Sequence, residues 1–206
     1  YGAVPERSAS RVFYDLLIAR GVTIGGSPAA GVTPDDGSLT ALALIESLPL
    51  EDVLVEMLHT SDNNTAELLL KEIGFVVNGA GTRQAGLDAV RSTLDRWGMP
   101  TGARVLSDGS GLSRVNRVSC ELLAEVVSTS PVADDLVDLL PAAGRDGTLA
   151  DDLIGTPAEG AMQAKTGTLT DVKALSGVQP GADRRPLGFS LVLNGQGVDD
   201  PAVHVP

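Results

Sequence analysis

The 206-residue chain has one cysteine, two histidines, three lysines and 3% aromatic residues. Each shortage removes a class of explanation. A single cysteine permits no disulfide within the chain. Cys120 lies in Ser-Cys-Glu-Leu-Leu-Ala-Glu-Val-Val, a helical pattern in which a small buried apolar side chain is expected. A nucleophilic role is disfavoured, because Glu121 and Glu125 raise a nearby thiol pKa rather than lower it. His59 and His204 are far apart, with no Cys or Asp partner at ligand spacing, so neither a metal nor another cofactor is expected. Few aromatics leave the packing to Leu, Val, Ile and Ala. At 43% hydrophobic the chain can still bury a core of one large domain. No apolar run is long enough for a membrane span, and no signal peptide is visible. Basic residues number 15 against 27 acidic ones, a net charge of −12, which repels nucleic acid and anionic membrane surfaces alike.

The pattern changes along the chain. Ser10 to Arg20 reads as a helix with Val12, Phe13, Leu16 and Leu17 on one face. Residues 21–38 are rich in Gly, Pro and Ser, with a β-like run from Gly21 to Ile24. A helix is expected from about Leu50 to Leu58, then a polar turn at Thr60-Ser61-Asp62-Asn63-Asn64. A second helix begins near Thr65, turns Leu68, Leu69 and Ile73 inward, and stops at Gly74. Gly86 to Trp97 is the cleanest amphipathic helix, followed by loop from Thr101 to Val118. Ser119 caps a helix to about Ser128, and Pro131 opens another ending near Pro141. Three strands follow, Ala161 to Leu169, Val172 to Val178 and Leu187 to Asn194. The first two meet at Thr170-Asp171, and the loop 179–183 joins the last two. Short connections imply antiparallel neighbours. Helices first and sheet last give a mixed α and β fold, with a helical region over about 40–142 and antiparallel strands over about 161–194.

Two triplets carry chemistry. Ser61-Asp62-Asn63 lies on a helical turn, and Lys165-Thr166-Gly167 at the head of a strand. These are two of three elements used by serine enzymes that acylate on penicillins and D-alanyl peptides. Lys165 offers a point charge to a substrate carboxylate. Thr166 adds a hydroxyl, Gly167 lets a ligand lie flat on the strand, and Thr168 offers a backbone N–H to the substrate or an oxyanion. Ser61 can relay a proton to a leaving amine, and the Asn63 amide can hold a substrate carbonyl. The bland alternatives are a helix cap for Ser61-Asp62-Asn63 and a strand-end turn for Lys165-Thr166-Gly167. Their order and structural contexts together favour the chemical reading. The third element, Ser-x-x-Lys, does not occur: the residues three before Lys71, Lys165 and Lys173 are Leu68, Met162 and Thr170. Asp108-Gly109-Ser110-Gly111-Leu112-Ser113-Arg114 is good turn chemistry and a poor phosphate loop. The pairs Asp35-Asp36, Asp134-Asp135, Asp151-Asp152 and Asp199-Asp200 read as solvated surface.

Four spaced blocks together resemble the D-alanyl-D-alanine carboxypeptidase/endopeptidases of the S13 peptidase group, the class C low-molecular-mass penicillin-binding proteins. They are Ser61 to Glu67, Asp108 to Arg114, Gly144-Arg145-Asp146-Gly147-Thr148-Leu149 and Ala164 to Leu169, and the similarity extends over roughly residues 10 to 195. The resemblance implies a penicillin-recognising, transpeptidase-like fold: an antiparallel sheet with helices on both faces and a helical region beside it. It implies catalytic roles for Ser61, Asn63 and Lys165 and substrate-binding roles for Thr166, Gly167, Thr168, Asp108, Ser110 and Arg114. The implied partners are peptidoglycan stem peptides and β-lactams, in the extracytoplasmic envelope. In the family the Ser-x-x-Lys segment precedes the second motif and a long helix follows the last strand. Residues 1–206 are therefore expected to be part of one such domain, clipped at both ends, without its nucleophile.

Two other functions compete. Class A β-lactamases share the motifs but carry a Glu-x-x-Leu-Asn loop between them, and none of Glu67, Glu72, Glu121, Glu125 and Glu159 begins that pattern. A non-catalytic peptidoglycan- or β-lactam-binding module fits the absence of Ser-x-x-Lys literally. It gives no reason to keep Ser61, Asn63 and Lys165 together.

Overall fold

The computed structural model describes residues 5–100, 102, 104–181 and 185–200, arranged as two compact units that divide between Ser47 and Leu48. The first holds helix α1 (Pro5–Ala19), which starts earlier than its apolar stripe suggests and buries none of its residues. Val12, Phe13 and Leu16 are exposed. The β-like run from Gly21 to Ile24 forms no strand, because no partner strand pairs with it among the described residues.

The second unit begins with α2 (Leu50–Thr60), α3 (Asn63–Asn78) and α4 (Arg83–Arg96). Helix α3 runs through Gly74 and ends at Gly79, whose φ of 69° is the left-handed stop that glycine supplies. Gly74 has a packing reason instead. A Cβ on it would stand 2.6 Å from the Gly86 backbone nitrogen, and one on Gly86 would stand 2.0 Å from the Leu70 carbonyl oxygen. The two glycines let α3 and α4 cross backbone to backbone. That crossing decides which face of α3 is buried: Leu70 and Gly74 are inside, while Leu68 is 63% exposed and Ile73 also faces out, contrary to the expected inward set.

Helices α5 (Cys120–Ser128) and α6 (Ala133–Asp138) follow the loop region. The Ser119 hydroxyl accepts the Leu122 N–H at 3.1 Å and fixes the start of α5. Leu122 and Val127 form its buried side. Cys120, in the first turn, is exposed, so the expected burial of this thiol is corrected. Pro131 lies in a turn, and α6 proper begins only at Ala133, shorter than its pattern suggests.

Strands β1 (Gln163–Leu169), β2 (Val172–Pro180) and β3 (Pro186–Asn194) form an antiparallel sheet in the order β1-β2-β3. Lys165 pairs with Ser176 and Gly167 with Ala174. Asp171 turns the first hairpin with φ 61°. Gln179 and Pro180 belong to β2 rather than to the second connection, and residues 182–183 of that connection lie outside the described ones. Helix α5 packs on β2 and β3, closely enough that a Cβ on Gly188 would meet the Ser128 Cβ at 2.4 Å. Ala143, Leu149, Met162, Ala164 and Leu175 make the core beside β1. Side chains alternate along a strand, so burying Ala164 turns Lys165 to the other face.

The close α3–α4 crossing generates a stability prediction. Gly86→Ala should lower unfolding free energy by about 2–3 kcal/mol through overpacking. Urea denaturation measures this, and an unchanged midpoint would contradict the crossing.

Candidate active site

Ser61 ends α2 in the left-handed conformation, φ 56° and ψ 45°, which is uncommon for a residue with a Cβ. Its N–H and that of Asp62 both return to the Met57 carbonyl, the latter at 3.0 Å. The chain then re-enters a helix at once. The Asp62 carboxylate accepts the Asn64 N–H at 2.9 Å, the Thr65 N–H at 3.3 Å and the Thr65 hydroxyl at 2.6 Å. The Thr65 hydroxyl and the Asn64 N–H hold the Asp62 carboxyl below its ordinary pKa. Ser61 is thus presented at a sharp corner between two helices, and Asp62 is the residue that makes the corner. The Asn63 side chain is exposed at the first position of α3 and makes no hydrogen bond among the described residues.

The Lys165 ammonium reaches this corner from β1. Its Nζ donates to Ser61 Oγ at 2.9 Å and to the Thr166 carbonyl at 2.9 Å. Among the described residues no carboxylate pairs with it. Burial of this partly covered cation lowers its pKa from the ordinary 10.5. A cation held by two neutral oxygens and no counter-ion is a receptor for an anion.

Among the described residues, no strand pairs with the edge of β1 that faces away from β2. At the near end of that edge the Ala164 N–H donates to the Pro141 carbonyl at 3.1 Å, away from β2. Alternation then turns the backbone groups of Thr166 and Thr168 to the same open edge. The Thr166 carbonyl reached by Lys165 agrees with that parity. A Cβ on Gly167 would meet only the Ala174 Cβ, at an ordinary 3.6 Å. The chain's own packing therefore does not require glycine there. Thr166 Oγ1 donates to Thr148 Oγ1 at 2.7 Å.

The Asp108 loop is bound tightly to itself and to its surroundings. Asp108 accepts the N–H of Gly111 at 2.9 Å, the N–H of Ser113 at 2.6 Å and the Asn116 amide at 2.7 Å. Arg114 donates to the Thr170 carbonyl at 3.0 Å, tying the loop to the β1–β2 turn. Ser110 donates its hydroxyl at 2.9 Å and its N–H at 3.0 Å to Glu67, which also accepts the Gly109 N–H at 2.9 Å and Arg83 Nε at 3.1 Å. Burial pushes Glu67 up, and the bonds from Ser110, Gly109 and Arg83 outweigh it, leaving the carboxyl below its ordinary value. Sequence reasoning missed Glu67. A glutamate on an amphipathic helix looks like a solvated charge, and the only available signal was its place at the end of the Ser61 to Glu67 block. Two surface grooves, of about 510 Å³ beside Phe75 and about 400 Å³ beside Arg91, include no side chain of Ser61-Asp62-Asn63 or Lys165-Thr166-Gly167.

Known proteins resemble this chain over nearly its whole length. Residues 3–204 match the D-Ala-D-Ala carboxypeptidase 3 (S13) family. The chain is 40% identical over 200 residues to a D-alanyl-D-alanine carboxypeptidase of Actinomadura sp. (strain R39), covering 93% of this chain and 37% of that protein. It is 32% identical over 198 residues to D-alanyl-D-alanine carboxypeptidase DacB of Haemophilus influenzae, covering 93% and 41%. The crystal structure of penicillin binding protein 4 (dacB) from Haemophilus influenzae, complexed with a β-lactam, superposes with a TM-score of 0.80 at 31% identity, over 96% of this chain and 47% of that one. The chain spans about two fifths of the length of the curated relatives it matches.

Two predictions arise from these charges. Lys165 has a depressed folded-state pKa, so below it the ionised form costs stability, and the cost is relieved as pH rises from that pKa toward the unfolded value of 10.5. Denaturation midpoints of the wild type should therefore gain on those of Lys165→Met between neutral pH and pH 10.5; parallel curves would contradict the burial. Glu67→Ala removes an acceptor shared by four donors and should cost about 2–3 kcal/mol at neutral pH, measured by urea denaturation. The wild type's advantage is present above the unfolded-state value near 4.5 and fades as pH falls through the lower folded value.

Proposed function

The chain belongs to the D-Ala-D-Ala carboxypeptidase 3 (S13) family, and from that membership we propose that it supplies two of the three catalytic elements of a serine D-alanyl-D-alanine carboxypeptidase/endopeptidase. The substrates are peptidoglycan stem peptides, and penicillins acylate the same site. The observation that carries the reading is the contact of Lys165 Nζ with Ser61 Oγ across 104 residues of chain. An ammonium with no carboxylate partner among the described residues, a proton-bearing hydroxyl and an open strand edge meet there, as acyl transfer to a peptide ending in a carboxylate requires.

In this mechanism the nucleophile is the serine of a Ser-x-x-Lys segment outside residues 1–206, since no such pattern occurs within them. It attacks the carbonyl of the penultimate D-Ala as the stem lies along β1. Lys165 and Thr166 hold the terminal carboxylate, Gly167 leaves room for the peptide, and the Thr168 N–H faces it from the open edge. Asn63 holds a substrate amide. Ser61, polarised by Lys165, takes up the proton that the attacking serine releases as it passes its own to the departing amine, and water then hydrolyses the acyl-enzyme. Asp108 and Ser110 brace the neighbouring loop. Arg114, exposed beside the β1–β2 turn, is available to a second carboxylate of the stem. Such a substrate places the enzyme outside the cytoplasmic membrane. Among the described residues no helix is long and apolar enough to cross a membrane.

The test is hydrolysis of a peptide ending in D-Ala-D-Ala by the longest natural chain that contains this sequence. Lys165→Ala should lower kcat/KM by about 100-fold or more, as loss of a preorganised electrostatic group does. Gly167→Ala should impair hydrolysis while leaving the melting temperature nearly unchanged, because its added Cβ meets only ordinary contact within the chain. Saturable penicillin binding without covalent capture or turnover would favour the binding-module reading, for which the absence of Ser-x-x-Lys from this sequence is the supporting observation.

A further inference from the structure

The block Gly144 to Leu149 has no part in the mechanism above, yet it touches both halves of the site. Its turn is rigid. Asp146 Oδ1 accepts the Ala142 N–H at 2.8 Å, and the Gly144 N–H donates to the Leu149 carbonyl at 2.9 Å. Gly147 has φ 55°, and a Cβ on it would stand 2.7 Å from Pro141 Cβ and 3.0 Å from the His59 carbonyl oxygen. The turn is therefore pressed against the last turn of α2, two residues before Ser61. Leu149, 1% exposed, anchors the other side in the core. Thr148 lies between these two fixed points. Its hydroxyl accepts a hydrogen bond from Thr166 Oγ1 at 2.7 Å.

A hydroxyl can donate only one hydrogen bond at a time. When Thr166 donates to Thr148, its proton is not available to a ligand. When Thr148 donates instead, Thr166 accepts that bond and its own proton is free for a carboxylate beside Lys165. Two hydroxyls in series also polarise one another, which strengthens the outer bond. We infer that Thr148 is a positioning residue for substrate-carboxylate recognition: it takes over the donor role within the pair and turns the Thr166 proton toward the ligand. The block is then a strut. Gly147 sets the height of the Ser61 corner, and Thr148 sets the proton of the third motif. This inference rests on the carboxypeptidase reading, because it assigns Thr166 to the terminal carboxylate.

The test uses the longest natural chain containing this sequence, with Thr148→Val and Thr148→Ser. Valine keeps the volume and removes the hydroxyl; serine keeps the hydroxyl. Acylation is followed with a penicillin and with its methyl ester, which lacks the carboxylate. Thr148→Val should slow reaction with the free acid about 10-fold, the size of one lost hydrogen bond, and leave the ester rate within about twofold. Thr148→Ser should restore the acid rate. Equal loss with both compounds would show a merely structural residue, and no loss with either would show an idle one; each overturns the inference. A wild type that reacts with neither compound, and hydrolyses no D-Ala-D-Ala peptide, overturns the carboxypeptidase reading itself and this inference with it.

Discussion

The hydrogen bond from Lys165 to Ser61 joins the end of a helix to the head of a strand, and the site depends on it. No counter-ion holds the ammonium in place among the described residues. Packing does: Ala164 is buried on the opposite face of β1, and the Asp62 cap forces Ser61 to protrude. The charge is partly withdrawn from water and given two neutral oxygens, so it is left under-satisfied. An uncompensated cation of this kind costs folding free energy and favours an anion at the open edge of β1.

Three ties distribute the strain of that arrangement. Lys165 binds α2 to β1, Glu67 binds α3 to the Asp108 loop, and Arg114 binds that loop to the β1–β2 turn. They close a circuit through three of the four motif blocks. The turn at Gly147 and Thr148 adds a second path from α2 to β1. Redundant ties suit a site whose two halves lie about a hundred residues apart in sequence, because small displacements there are expensive in rate.

Much of this was legible in the chain. Lys165-Thr166-Gly167 at a strand head and Ser61 in a turn between helices follow from local pattern, and the strand order follows from short connections. What was not legible depends on close approach. Gly74 read as a helix stop because local pattern cannot show another backbone 2.6 Å from its would-be Cβ. Leu68 and Ile73 read as core because that crossing, which selects Leu70 instead, was invisible. Cys120 read as buried from its apolar neighbours, while its position in the first turn of α5 turns it outward. Glu67 and Thr148 are polar residues whose partners lie 43 and 18 positions away, beyond the reach of any periodicity.

On the proposed function, Lys165 and Ser61 serve a nucleophile that they do not themselves provide. Proteolytic mapping of the penicillin adduct on the longest natural chain containing this sequence is the decisive measurement. A single acylated serine is expected, in a Ser-x-x-Lys segment outside these 206 residues. An adduct on Ser61, or no adduct at all, would contradict it.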